Sequence, residues 1–159
     1  MSDAFDPLRA FDELNARYCH SIDEDRLEEW PLYFTETGRY EIIARESRKQ
    51  GLPIGAMYCD SRGMMQDRVT SVRRVLVFEP HTYRHTVSAT LIKEATPGRL
   101  LVQSSFVVLR ISEISGDTII FASGSYDDEI VRHGTELLFA RRIVLLDANK
   151  LHTGLVIPL

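Results

Sequence analysis

Lysine is scarce in this chain: only Lys49, Lys93 and Lys150 occur among its 19 basic residues, and arginine supplies the rest. Arginine suits bidentate carboxylate pairing and interface packing, whereas lysine suits solvated surface. GC-rich codon usage is the other source of such a bias. The acidic residues number 23, for a net charge of −4. With arginines scattered rather than clustered, a nucleic-acid role is excluded. Cysteine is scarce too, at two. One Cys19–Cys59 disulfide is formally open, but two cysteines make no disulfide framework, so a reduced, cytoplasmic setting is expected. No apolar run approaches the ~18 residues of a membrane span. The first eight residues carry Asp3 and Asp6 and lack the basic and apolar regions of a signal peptide.

What is present reads as one domain over 1–159, at about 100–200 residues per domain. Hydrophobic residues are 44% and charged residues 26%, an ordinary globular mix. Asp6-Pro7 opens a helix, with Asp as cap and Pro at the first helical position. Leu8, Phe11, Leu14, Tyr18 and Ile22 form its apolar stripe, and Asp23-Glu24-Asp25 breaks it. A short second helix over 26–34 carries Leu27, Trp30 and Phe34, with Pro31 inside. A strand over 39–45 places Tyr40, Ile42 and Ala44 on one face. A loop over 46–59 and a third helix over 61–76 follow, the latter with Met65, Val69, Val72 and Leu76 on one side.

After Pro80 the period changes from 3.6 to 2. Four strands are expected over 84–94, 100–112, 118–129 and 135–147, with hairpin turns at Pro97-Gly98, Ser115-Gly116-Asp117 and His133-Gly134. This is an α+β layout. In the last strand Leu137, Phe139, Ile143 and Leu145 alternate with Leu138, Ala140, Val144 and Leu146. One face packs the helices; the other needs a second cover, most simply another subunit. Gly124, in mid-strand, marks a bend or a close packing contact.

Metal ligation fails on spacing. His81 and His85 lie on a strand, so four residues separate them by ~13 Å at ~3.3 Å each. No Cys-x-His or Cys-x-x-His pair occurs, which leaves no zinc or iron–sulfur ligand set. There is no G-x-S-x-G and no glycine-rich phosphate loop. Acid–base groups remain: Asp60, Asp67, Tyr83, His85 and Tyr126 could share a pocket between sheet and helices, with Asp60 and His85 as an acid–base pair. A structural role for His85 is the competing reading. Arg68 and Arg84 beside these acids, with Arg141 and Arg142, are candidates for structural ion pairs or an interface. Trp30, Phe34 and Tyr40 are core candidates.

An ordered set of residues carries a resemblance. Asp23-x-Asp25 is followed by Glu29-Trp30-Pro31-x-x-Phe34-Thr35, Tyr40, Tyr58-x-Asp60-Ser61 and Asp67-Arg68. Tyr83-Arg84-His85, Phe121-Ala122-Ser123-Gly124-x-Tyr126 and Pro158-Leu159 complete it. Over nearly its whole length the chain resembles the small (beta) subunit of aromatic-ring-hydroxylating dioxygenases, nearest to terephthalate, salicylate or benzoate types. The resemblance implies a cone-shaped fold like nuclear transport factor 2, a curved antiparallel sheet wrapped by about three N-terminal helices. It also implies a structural subunit without cofactor ligands, which self-associates as a trimer and assembles with a catalytic alpha subunit, three of each. That partner would hold the Rieske [2Fe-2S] cluster and the mononuclear iron. The same fold serves stand-alone isomerases and dehydratases, and in that alternative His85 and Asp60 would be catalytic.

Overall fold

The structure, a computed structural model, describes residues 5–52, 55–151 and 154–159. Pro53, in the expected loop, and Asp3, in the N-terminal stretch, lie outside the described residues. Helix α1 (Pro7–Asp23) starts where Asp6 Oδ1 accepts from the Leu8 and Arg9 amides at 3.0 and 3.2 Å. It buries Phe11, Leu14, Tyr18 and Ile22, while Leu8 at the head of the stripe stays exposed. The acidic break is real: the helix ends at Asp23, and Asp25 turns left-handed at φ 57. A 3-10 segment, Leu27–Tyr33, replaces the expected second helix and contains Pro31.

Strand β1 (Phe34–Ala44) begins earlier than its alternation suggests, and α2 (Arg45–Lys49) and β2 (Met57–Cys59) occupy much of the expected loop. Helix α3 (Arg62–Arg74) is capped by Ser61 Oγ, which accepts from the Met64 amide at 3.2 Å. It buries Met65, Val69 and Val72, but stops before Leu76, which is exposed.

Four long strands follow, β3 (His81–Thr96), β4 (Arg99–Ser112), β5 (Thr118–His133) and β6 (Glu136–Leu146). One curved six-stranded sheet results, in the order β2-β1-β6-β5-β4-β3. The sheet is not wholly antiparallel. β1 runs parallel to β6, while the other four pairings are antiparallel. Joining the first long strand to the last needs a crossing through the whole meander, and no local sequence pattern reports it.

The helices cover one face, and its core includes Trp30, Phe34, Tyr40 and Phe139, all at zero exposure. Trp30 meets Tyr40 edge-on at 5.1 Å, and Phe34 meets Phe139 at 5.4 Å. Such aromatic pairs contribute about 0.5–1.5 kcal/mol each beyond area burial. Gly124 is a close-approach glycine: a Cβ there would collide with the Leu145 carbonyl oxygen. The bulges between β4 and β5 and between β5 and β6 lie elsewhere, at Val108/Leu109 and Glu129/Ile130.

The second bulge changes the face assignment of β6. Ile130 pairs Phe139 and Asp128 pairs Arg142, so Phe139 and Arg142, three residues apart, both point inward. Arg141, Ile143 and Leu145 lie on the outer face and are only half-buried. That outer face is also not purely apolar. It carries Arg48 and Lys93 against Asp127 (3.6 and 3.8 Å) and Arg99 against Glu129 (2.8 Å).

Candidate functional site

Two polar clusters lie on the helix-covered face. In the first, the Asp23 carboxylate reaches from the end of α1 to β3. Its Oδ2 accepts from the His85 backbone amide at 2.9 Å, and its Oδ1 lies 2.5 Å from His85 Nδ1. The His85 and Asp23 side chains are 0% and 3% exposed. A carboxylate oxygen accepts, so Nδ1 is the donor in this contact and Nε2 lies on the far side of the ring. That Nε2 is buried without a hydrogen-bond partner, as are the Tyr83 hydroxyl and His81 Nε2 on the same strand.

The partner of His85 is therefore Asp23, not Asp60. Asp60 is exposed in the turn between β2 and α3, and Asp67 is exposed on α3. Tyr83 does sit near His85, with ring centroids 6.1 Å apart, and it stacks on Phe121 at 5.3 Å. Burial pushes the Tyr83 hydroxyl well above the ordinary tyrosine range. Of the five expected acid–base residues, only Tyr83 and His85 come together here. A cleft of about 440 Å³ between α1 and β3 is lined by both members of the Asp23–His85 pair, with Asn15, Cys19 and Arg84 among its walls.

The second cluster surrounds Arg142, which is fully buried. Its Nε and one terminal nitrogen donate to Asp128 Oδ1 and Oδ2 at 2.9 and 2.8 Å. The same terminal nitrogen donates to Asn15 Oδ1 at 2.6 Å. Its guanidinium carbon also lies 4.1 Å from the Tyr126 ring centre, 4.2 Å from Phe139 and 4.3 Å from Tyr18. Burial pulls Arg142 down, but the charge and hydrogen bonds of Asp128 outweigh it and hold it above its usual range. For Asp128 burial is the larger influence and raises its carboxyl, against the opposing pull of Arg142. Tyr126, expected beside Asp60 and His85, belongs to this cage instead.

The other arginines behave differently. Arg68 donates to the Leu155 and Val156 carbonyls at 3.3 and 3.1 Å. It thereby secures the C-terminal segment, whose Leu159 carbonyl accepts from the Tyr18 and Tyr40 hydroxyls at 2.8 and 2.9 Å. Arg84 is exposed and Arg141 half-buried; neither forms an ion pair among the described residues. Cys19 and Cys59 are buried free thiols. Among the described residues, no group of three or more His, Cys, Asp or Glu side chains is placed to hold a metal ion. His81 instead uses Nδ1 to donate to the Glu79 carbonyl at 2.7 Å.

Asp128 was legible in principle. It interrupts the inward series Tyr126, Ile130 on β5, directly across the hairpin from Arg142. Asp23 gave no such signal, because its partner lies 62 residues away.

The chain matches the family described as ring hydroxylating beta subunit over residues 15–153. The chain belongs to that family. It is 36% identical over 146 residues to the anthranilate 1,2-dioxygenase small subunit of Burkholderia cepacia, covering 92% of this chain and 90% of that one. It is 32% identical to a terephthalate 1,2-dioxygenase terminal oxygenase component subunit beta of Comamonas, covering 91% and 94%. The crystal structure of a beta subunit assigned to an aromatic-ring-hydroxylating dioxygenase of Novosphingobium aromaticivorans matches with a TM-score of 0.86 and 34% identity, covering 95% of both chains. As a beta subunit of this family the chain is part of an oxidoreductase. A structure assigned as a scytalone dehydratase is only 16% identical, a likeness of fold alone. No helix among the described residues is long and apolar enough to cross a membrane.

Proposed function

We propose that this beta subunit, working as one domain over 1–159, is the structural, non-catalytic component of a Rieske non-haem iron dioxygenase that hydroxylates a carboxylated aromatic ring. It self-associates as a trimer and assembles with three catalytic alpha subunits in the cytoplasm. The alpha subunit holds the [2Fe-2S] cluster and the mononuclear iron. The carboxylated ring follows from the anthranilate and terephthalate enzymes named for its relatives.

The observation that carries this reading is how the buried charges are used. Arg142 spends its Nε and one terminal nitrogen on Asp128 and Asn15, and Asp23 spends both oxygens on His85. These contacts tie elements together. A Rieske cluster needs two cysteine and two histidine ligands around its irons, and the described residues offer no such grouping. The half-apolar outer face of β6 suits contact with another subunit.

Co-expression with the cognate large subunit, followed by native mass measurement, tests the reading. A complex with equal numbers of the two subunits is expected. A chain that stays monomeric and never co-purifies overturns it. The dehydratase alternative now rests on His85 with Asp23. It requires turnover by the isolated chain that His85→Ala abolishes without loss of folding.

A further inference from the structure

Residues 154–159 belong to no helix or strand, yet they enter the core. Ile157, Pro158 and Leu159 are buried, Leu159 completely. Among the described residues, this segment makes no backbone–backbone hydrogen bond to the rest of the fold. Side chains hold it instead, at two points. At the outer point one terminal nitrogen of Arg68, on α3, donates to the Leu155 and Val156 carbonyls at 3.3 and 3.1 Å. At the inner point the Tyr18 and Tyr40 hydroxyls donate to the Leu159 carbonyl at 2.8 and 2.9 Å. The Tyr40 oxygen also accepts from the Leu159 amide at 2.8 Å.

A strand of the sheet cannot leave without breaking a ladder of backbone bonds. This segment leaves once a few side-chain bonds break and Ile157 and Leu159 lose their burial, so its opening costs less than unfolding the sheet. Closure also carries a penalty. Arg68 Nε, at the outer point, and Trp30 Nε1 are buried without partners, and Trp30 meets Tyr40 edge-on at 5.1 Å. Unpaired buried donors favour an opening that lets water reach them. We infer that residues 154–159 are a strap, latched by Arg68 outside and by Tyr18 and Tyr40 inside, which opens as a unit while the sheet stays folded. Opening admits solvent to Tyr18, Trp30 and Tyr40. Pro158-Leu159, part of the ordered residue set along the chain, is the plug of this strap. The inference stands apart from the assembly proposed above.

Trp30 is the single tryptophan and has zero exposure, so its fluorescence reports on the strap. In the full chain without denaturant, the Leu159 amide should exchange earlier than the Tyr126 and Asp128 amides of β5. Its rate should change little in low urea, the mark of local opening. Arg68→Gln removes the outer latch and should raise acrylamide quenching of Trp30 and exchange at Leu159 about tenfold, with circular dichroism unchanged. Tyr40→Phe keeps the ring and removes the inner latch; it should act in the same direction, and it decides the matter if Arg68→Gln impairs folding. Arg84→Gln is the control, because Arg84 is exposed and makes no contact with the segment. It should leave quenching unchanged. Exchange at Leu159 that coincides with that of β5 overturns the inference, since the segment would then open only with the whole fold. Unchanged Trp30 quenching in both latch variants overturns it too, as does an equal rise in Arg84→Gln.

Discussion

Asp23 closes α1 and holds His85 of β3 at two points, the backbone amide at 2.9 Å and Nδ1 at 2.5 Å. A buried hydrogen bond to a charged group contributes about 1.5–3 kcal/mol. Asp23→Ala removes both contacts and leaves two buried donors unsatisfied. We expect a loss of at least that size in urea unfolding, with hydrogen exchange rising first at the α1 end and at His85. An unchanged midpoint would show that the pair does not tie the helix to the sheet.

Arg142 and Asp128 form the most deeply buried ion pair, with both side chains at zero exposure. Arg142→Met strands the carboxylate and should cost about 3–5 kcal/mol. Arg142→Met combined with Asp128→Leu removes both charges and should recover most of that loss. A double variant no more stable than the single one would mean that the cation's contacts with Tyr18, Tyr126 and Phe139, rather than the stranded charge, set the cost.

Burial pushes the Cys19 thiol up to about 12 and the Cys59 thiol up to about 11. Only thiolate reacts readily with disulfide reagents. At pH 8 the folded chain should therefore titrate slowly with such a reagent, and both thiols should react promptly in denaturant. Rapid modification of the folded chain contradicts this burial.

The Arg73 guanidinium donates to both Glu28 carboxylate oxygens, at 2.7 and 3.0 Å, and holds Glu28 below its ordinary value. A depressed carboxylate stabilises the fold above its unfolded value of about 4.3. That contribution disappears as pH falls through the lower folded value. The stability difference between the unsubstituted chain and Arg73→Ala should be present at pH 7 and shrink in acid. Because Glu28 is largely solvent-exposed, the difference is small. A gap that widens in acid would reverse the assignment.

The local elements were legible because their causes are local. Asp6 and Ser61 cap helices through bonds to amides two or three residues ahead. The hairpin turns and period-two strands around Gly98, Gly116 and Gly134 needed only neighbouring residues. Phe139 and Arg142 mark the limit. Strict alternation puts them on opposite faces, and one bulge against Glu129 and Ile130 puts both inside.

The sequence by itself determined the α+β class, the helix and strand order, most of the core and the family. Those depend on side-chain periodicity, capping and an ordered set of residues along nearly the whole chain. Only the tertiary structure decided that β1 pairs in parallel with β6, that Asp23 rather than Asp60 holds His85, and that Arg142 is caged while Arg84 is exposed. Each of these is a contact between segments distant in the chain, set by how the sheet closes under the helices. The arginine excess divides accordingly: Arg142 neutralises a buried acid, Arg68 secures the C-terminal segment, and Arg141 remains on the outer face.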